Sequence, residues 1–197
     1  AHGQGWTACS PEPPRLPKAP RPARDIAPAR LDEVLDGLPK QTKRAQQILR
    51  FIAETGCRPS EACSLQWHHV HLDVGLCILS EHKTANETGQ PRTIYLTDGA
   101  REVLEALEPG DGHVFTSRLG KPYTPAGLRS ILRRHGGFTP YQLRHTFAQQ
   151  VSDSNEVPIE VLSRLLGHSS TRTTEVYFKV RDKRAMEAAK RIKLHVG

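Results

Sequence analysis

Apolar residues return every three or four positions through most of this chain, and one stretch breaks that rhythm. From Arg30 to Leu38 the positions Leu31, Val34, Leu35 and Leu38 predict a first helix, which Pro39 interrupts. A second helix runs from about Thr42 to Glu54 and buries Ile48, Leu49, Phe51 and Ile52, with Gly56 as its stop. Pro59 suits the first position of another helix, where its missing N–H is not needed; Arg58 then stands at the helix mouth and Glu61 one turn on. After Trp67 the period drops to two. His69 to Leu72, Leu76 to Leu79 and Arg92 to Leu96 read as short strands separated by turn-forming residues, with Lys83 near the end of the second.

The helical period then resumes. Thr97 is a plausible N-cap for a helix through Leu107, and Gly110 to Pro125 reads as a loop around Val114 and Phe115. The next helix, Pro125 to about Arg134, turns Leu128, Ile131 and Leu132 inward and Arg129, Arg133 and Arg134 outward. The helix opened by Pro140 carries Leu143, Phe147 and Val151 on one stripe and Tyr141, Arg144 and Ala148 on a neighbouring face that the core does not need. Val157 to Leu166 is a short apolar helix; Gly167 ends it and delivers His168 at its exit. Thr171 is the expected cap of a helix carrying Tyr177, and a separate amphipathic helix is expected from Lys183 to Leu194. The expected fold is α+β, mainly α, with a small three-stranded antiparallel sheet.

Composition adds an anionic partner. The chain has 197 residues and a formal net charge of +7, which favours nucleic acid. No apolar run approaches the roughly 18 residues needed to cross a bilayer, and Ala1 to Ser10 lacks the basic start and apolar core of a secretory signal. Cys9, Cys57, Cys63 and Cys77 show no metal or disulfide spacing, so a reduced, cytoplasmic protein is expected. Residues 1–28, rich in Pro and Arg, read as a linker or arm, and residues 29–197 as the folded domain.

The candidates for chemistry are Arg58, Lys83, Tyr141, Arg144, His168 and Tyr177, with Glu61 as a support. Two arginines can clamp the non-bridging oxygens of a phosphodiester, because their forked donors stay charged. A tyrosine oxygen can attack phosphorus and hold it covalently, and a lysine can protonate the departing 5′ oxygen. No carboxylate cluster for two magnesium ions is evident, and His69 with His71 lacks a third ligand for zinc. No metal and no cofactor are therefore expected.

On these residues the chain resembles the tyrosine recombinase (phage integrase) family over about residues 41 to 182. Thr55-Gly-Cys-Arg58-Pro-Ser-Glu61-Ala-Cys-Ser-Leu-Gln-Trp67 is similar to its first arginine box, and His82-Lys83-Thr84 to its hairpin lysine. Tyr141-Gln-Leu-Arg144-His-Thr-Phe-Ala148 resembles the second arginine box. Leu166-Gly-His168-Ser-Ser170 and Thr173-Thr-Glu-Val-Tyr177 resemble the last two. The resemblance implies that Tyr177 attacks the scissile phosphate to leave a 3′-phosphotyrosine. It also implies that Arg58, Arg144 and His168 stabilise the transition state and that Lys83 is the general acid. The implied partners are double-stranded DNA and three further copies of the chain, a homotetramer on DNA from a protein that is monomeric when free. Arg129, Arg133, Arg134 and Lys179 are the expected backbone contacts.

Two departures stand out. The family most often has histidine where this chain has Tyr141, and a phenol is a poor base at neutral pH. Tyr141 is therefore expected to keep a positional role, leaving the proton of Tyr177 to another group or to water. Family members also usually carry a helical core-binding domain before the catalytic one. The rival expectations are a type IB topoisomerase, which shares the chemistry, and a DNA-binding module with weakened catalysis.

Overall fold

The computed structural model describes residues 25–80 and 91–189. Its elements, in chain order, are α1 (Pro28–Asp36), α2 (Lys43–Thr55), α3 (Pro59–Ser64), β1 (Val70–His71), β2 (Leu76–Leu79), β3 (Arg92–Tyr95), α4 (Asp98–Glu105), α5 (Pro125–His135), α6 (Pro140–Ser154), α7 (Ile159–Leu166) and α8 (Glu175–Ala189). The expected mainly helical fold with one small antiparallel sheet is what the chain adopts. The sheet has strand order β1-β2-β3, with Cys77 opposite both Val70 and Ile94.

α2 is the central post, packed against α6 on one side and α4 on another. Ile48, Leu49, Phe51 and Ile52 are all fully buried, each stabilising the fold by about 1.5–3 kcal/mol relative to exposure. Phe51 meets Phe115 in a tilted ring pair with centroids 5.2 Å apart. A second, smaller core lies between α6, α7 and α8 and contains Phe147, Ala148, Leu162, Leu166 and Tyr177. Arg58, Arg144 and His168 meet where the mouth of α3, α6 and the exit of α7 come together, and Tyr177 belongs to the second core.

Local capping fixes where the site's helices begin and end. The Gln142 side-chain carbonyl accepts the Thr139 amide at 3.0 Å, closing the first turn of α6. Thr97 caps α4 as expected, its hydroxyl accepting from the Ala100 amide at 3.1 Å. α7 closes with a Schellman motif: Gly167 is left-handed at φ 64°, and the His168 amide reaches Ser163 O at 2.9 Å. Gly56 ends α2 at φ 62°, with room for no side chain, since a Cβ there would meet the Phe147 ring at 2.3 Å. That close approach brings the end of α2 within reach of α6.

Three expectations are corrected. The first strand shrinks to two residues, because Trp67–His69 forms a 3-10 turn in which His69 Nδ1 accepts the Gln66 amide at 3.2 Å. The helix of Tyr177 and the final helix are one continuous α8, since no Gly or Pro lies between Tyr177 and Lys183 to stop it. Thr171 does not cap it; residues Thr171–Thr173 form a 3-10 turn capped by Ser170, and α8 starts at Glu175. Arg184 ties α8 to α6 through Asp153 and to the start of the described chain through Asp25, both at 2.7 Å. Most of the arm (residues 1–24), Lys83, and the chain after Ala189 lie outside the described residues.

Candidate active site

The C-terminal end of α7 gathers the site. A helix end leaves its last carbonyls without backbone donors and carries partial negative charge. Here three arginines from three other elements supply the donors, one after another along the chain. Arg92 from β3 reaches Arg164 O at 3.4 Å and Leu165 O at 2.8 Å. Arg144 from α6 donates to Leu166 O at 2.7 Å, and Arg58 from the mouth of α3 donates to Gly167 O at 3.0 Å. Arg144 also holds Gly56 O at 2.8 Å, so α2, α6 and α7 converge on one guanidinium.

Glu61 is the carboxylate of the cluster. It accepts the Arg58 amide at 2.8 Å and the Arg58 side chain at 2.7 Å, and it lies 3.5 Å from Arg92 Nε. Burial pushes the Glu61 carboxyl up, but Arg92 and the bonds from Arg58 outweigh it and hold the group below its ordinary range. Three guanidinium charges thus face one carboxylate and a helix end worth roughly half a charge. Positive charge is left over. Burial first, then Arg58, pulls the Arg144 guanidinium down to about 10, a sign that the arginines crowd one another while remaining charged at neutral pH. An anion is what completes such a cluster, and the Arg58 side chain, 28% exposed, gives it an open edge.

His168 leaves α7 just after Gly167 and has both ring nitrogens engaged. Arg144 is a donor, so its 3.0 Å contact with His168 Nε2 requires that nitrogen to accept. Nδ1 therefore carries the proton and donates to Thr174 Oγ1 at 2.8 Å. Burial and the Arg144 charge drop the imidazole to about 4, so it is neutral at physiological pH, as this arrangement needs. In this geometry His168 orients Arg144.

Tyr177 is in the first turn of α8, 7% exposed, and its phenol makes a 2.6 Å hydrogen bond with His145 Nδ1. Burial raises the phenol's pKa, with Arg144 opposing. Because His145 follows Arg144 directly on α6, one turn of helix joins the arginine cluster to the phenol.

The structure thus brings together Arg58, Glu61, Arg144, His168 and, through His145, Tyr177. Arg144, expected on a face that the core does not need, is buried, because its guanidinium finds partners on neighbouring elements and not in solvent; Tyr177 is buried as well. Tyr141 is 44% exposed on the first turn of α6. Arg129, Arg133 and Arg134 line an open concavity of about 390 Å³ on the exposed face of α5, and Lys179 is exposed and paired with Glu175 at 3.2 Å. Two residues went unread in the sequence. Arg92 sits in phase with buried Ile94 on β3, so the strand period already pointed a charge inward. His145 carried no signal of its own beyond adjacency to Arg144.

Among the described residues no three His, Cys, Asp or Glu side chains are grouped to hold a metal ion, and no helix is long and apolar enough to cross a membrane. Cys57, Cys63 and Cys77 are buried free thiols, each pushed up to about 12 by burial, and are inert as nucleophiles at neutral pH.

Surplus positive charge at a helix end, linked by one helix to a tyrosine oxygen, is the equipment of an enzyme that attacks a phosphodiester covalently. Comparison with known proteins gives that class a family: the phage integrase family matches residues 25–184, and this chain belongs to it. Tyrosine recombinase XerA of Thermococcus kodakarensis is 29% identical over 191 residues, covering 93% of this chain and 67% of the relative. Tyrosine recombinase XerC of Xanthomonas campestris is 30% identical over 179 residues, covering 83% and 53%. The chain therefore spans about two thirds of the first relative and about half of the second. Among solved structures, the Tn1549 transposon integrase in complex with circular intermediate DNA superposes with a TM-score of 0.68 at 18% identity, covering 86% of this chain and 68% of that one. The catalytic domain of bacteriophage HP1 integrase gives 0.61 at 22% identity, covering 87% and 96%.

Proposed function

We propose that this chain is the catalytic domain of a site-specific DNA recombinase, in which Tyr177 attacks the scissile phosphodiester and carries it as a 3′-phosphotyrosine until a second strand end displaces it. The observation that supports this most is the direct adjacency of Arg144, which completes the positive cluster, and His145, which holds the phenol. Arg58 and Arg144 bind the phosphate oxygens, whose charge grows as phosphorus becomes five-coordinate. Glu61 and Arg92 keep Arg58 aimed, and His168 keeps Arg144 aimed. Lys83 is the proposed acid for the 5′ oxygen. Tyr141, at the solvent edge of α6, is proposed to donate a hydrogen bond to the phosphate without serving as a base. Double-stranded DNA is the partner, with Arg129, Arg133, Arg134 and Lys179 as proposed backbone contacts and four protomers on paired sites as the working assembly. The bond energy stays in the phosphotyrosine, so neither a metal ion nor ATP takes part. Residues 29–197 form the proposed domain, with residues 1–28 as its linker.

The test is covalent capture. The protein is incubated in EDTA with nicked duplex oligonucleotides of randomised central sequence and resolved under denaturing conditions. A protein–DNA adduct that disappears in Tyr177→Phe is expected. Absence of any adduct favours a binding module, and inhibition by EDTA overturns the metal-free chemistry. With the recovered duplex, strand exchange between two sites distinguishes recombination from topoisomerase-like relaxation.

A further inference from the structure

We infer that His145 is the base that takes the proton of Tyr177, the task left without an owner where a phenol stands at position 141. The inference rests on the proposed function and names a further residue of that site. A candidate base must lie within hydrogen-bond reach of the proton it removes. His145 Nδ1, at 2.6 Å from the Tyr177 oxygen, meets that condition.

The other groups nearby are already committed. His168 accepts from Arg144 through Nε2 and donates to Thr174 through Nδ1, so neither nitrogen has a lone pair for the phenol. Glu61 is buried and bound to Arg58 through both carboxylate oxygens. Tyr141 is itself a phenol, suited to donating a hydrogen bond to phosphate and not to taking a proton. His145 is also suited electrostatically. Burial and the Arg144 charge lower its pKa, keeping the imidazole neutral and able to accept at physiological pH. The ionisable groups facing it are Tyr177 from α8, Arg144 from its own helix, and His168 from the exit of α7.

The step balances within the site. The Tyr177 O–H bond breaks and its proton passes to Nδ1 as the oxygen–phosphorus bond forms. The bond from phosphorus to the 5′ oxygen breaks, and that oxygen takes a proton from the general acid. On religation the 5′ hydroxyl gives its proton back to the group that supplied it as its oxygen attacks phosphorus, the phosphotyrosine bond breaks, and Nδ1–H returns its proton to the phenolate. One geometry serves both ends, because the contact can be phenol donating to bare Nδ1 or imidazolium Nδ1–H donating to phenolate.

The experiment uses His145→Asn, whose amide oxygen takes the place of Nδ1 as an acceptor but has no basicity. Single-turnover adduct formation is measured from pH 5 to 10 on the captured duplex and on the same duplex with sulfur in place of the bridging 5′ oxygen. Sulfur leaves without a proton, so it bypasses the general acid and leaves the need for a base intact. The expected loss at neutral pH is about 10²-fold or more on both substrates. It should shrink as rising pH ionises Tyr177 directly. A loss constant across pH, a loss cured by sulfur, no loss, or faster cleavage each overturns the assignment.

A second measurement follows the His145 imidazole by NMR in the DNA-free protein. Its titration midpoint is expected to move in Tyr177→Phe, where the phenol oxygen is gone; an unchanged midpoint overturns the contact. This readout needs no DNA. If the wild-type chain forms no adduct while the midpoint moves, the functional reading has failed and the pairing has not.

Discussion

Gly167→Ala tests the helix-end cluster most directly. The residue sits at φ +64°, a left-handed conformation that costs a side-chain-bearing residue about 1–2 kcal/mol. The new methyl would also stand 2.6 Å from Arg92 Cζ and Nε. Comfortable carbon contacts begin near about 3.5 Å, so something must move by roughly 1 Å. A long side chain could ordinarily swing away, but the Arg92 side chain is only 5% exposed and bonded to Thr93, Arg164 and Leu165. If Arg92 yields, it gives up bonds to the end of α7; if the turn yields, Gly167 O leaves Arg58. A hydrogen bond from a charged group is worth about 1.5–3 kcal/mol, so the total loss should be about 3–5 kcal/mol. Urea unfolding at constant m-value measures it. A cycle with Arg92→Met isolates the cause, because the shortened, uncharged side chain relieves the overlap and should leave a coupling of about 2 kcal/mol. A loss under about 1.5 kcal/mol, or strict additivity, would show that Arg92 is not held there and would refute the reasoning.

Three further outcomes are expected. Thr174 is fully buried, and Thr174→Val removes the acceptor of His168 Nδ1–H, so the ring either loses a bond worth about 1–3 kcal/mol or switches tautomer and turns N–H against the Arg144 donor. Adduct formation should fall at least tenfold with the fold retained, and ¹⁵N NMR of His168 should report the change; an unaltered tautomer and rate would contradict it. The lowered His168 pKa makes stability depend on pH: it is fully present above the unfolded value of 6.5 and lost as pH falls through about 4, because the unfolded chain binds the proton first. The effect, reduced by partial solvent access, is at most about 3 kcal/mol, and His168→Gln should flatten that part of the unfolding-versus-pH curve; an equal slope in the variant would argue against it. Finally, Tyr141→His should preserve or raise adduct formation, since the exposed start of α6 accommodates either ring, and a dead variant would overturn the positional role given to Tyr141.

What could be read without coordinates was local. Thr139-Pro-Tyr-Gln142, Gly167 after an apolar helix, and Pro59 following Arg58 each carry their own backbone logic, so helix ends and the residues they deliver follow from a few neighbours. The fold class followed as well, because a period-two interruption in a helical chain leaves few arrangements. Boundaries that depend on a missing breaker do not: α8 runs on past Lys183 with no Gly or Pro before it, and its Arg184 is held to α6 by Asp153.

The sequence by itself determined which residue types the site would hold: the arginines, the histidine after α7 and the tyrosine beyond it. Only the tertiary structure decided how they are wired. Arg92 becomes the third arginine because β3 passes the end of α7, and His168 takes one tautomer because Arg144 faces one nitrogen and Thr174 the other. His145, an unremarkable neighbour in the chain, becomes the partner of Tyr177 because α8 packs across α6. The physical reason is range. Capping and periodicity act within a turn or two, whereas charge neutralisation and proton transfer depend on groups brought together from distant parts of the chain.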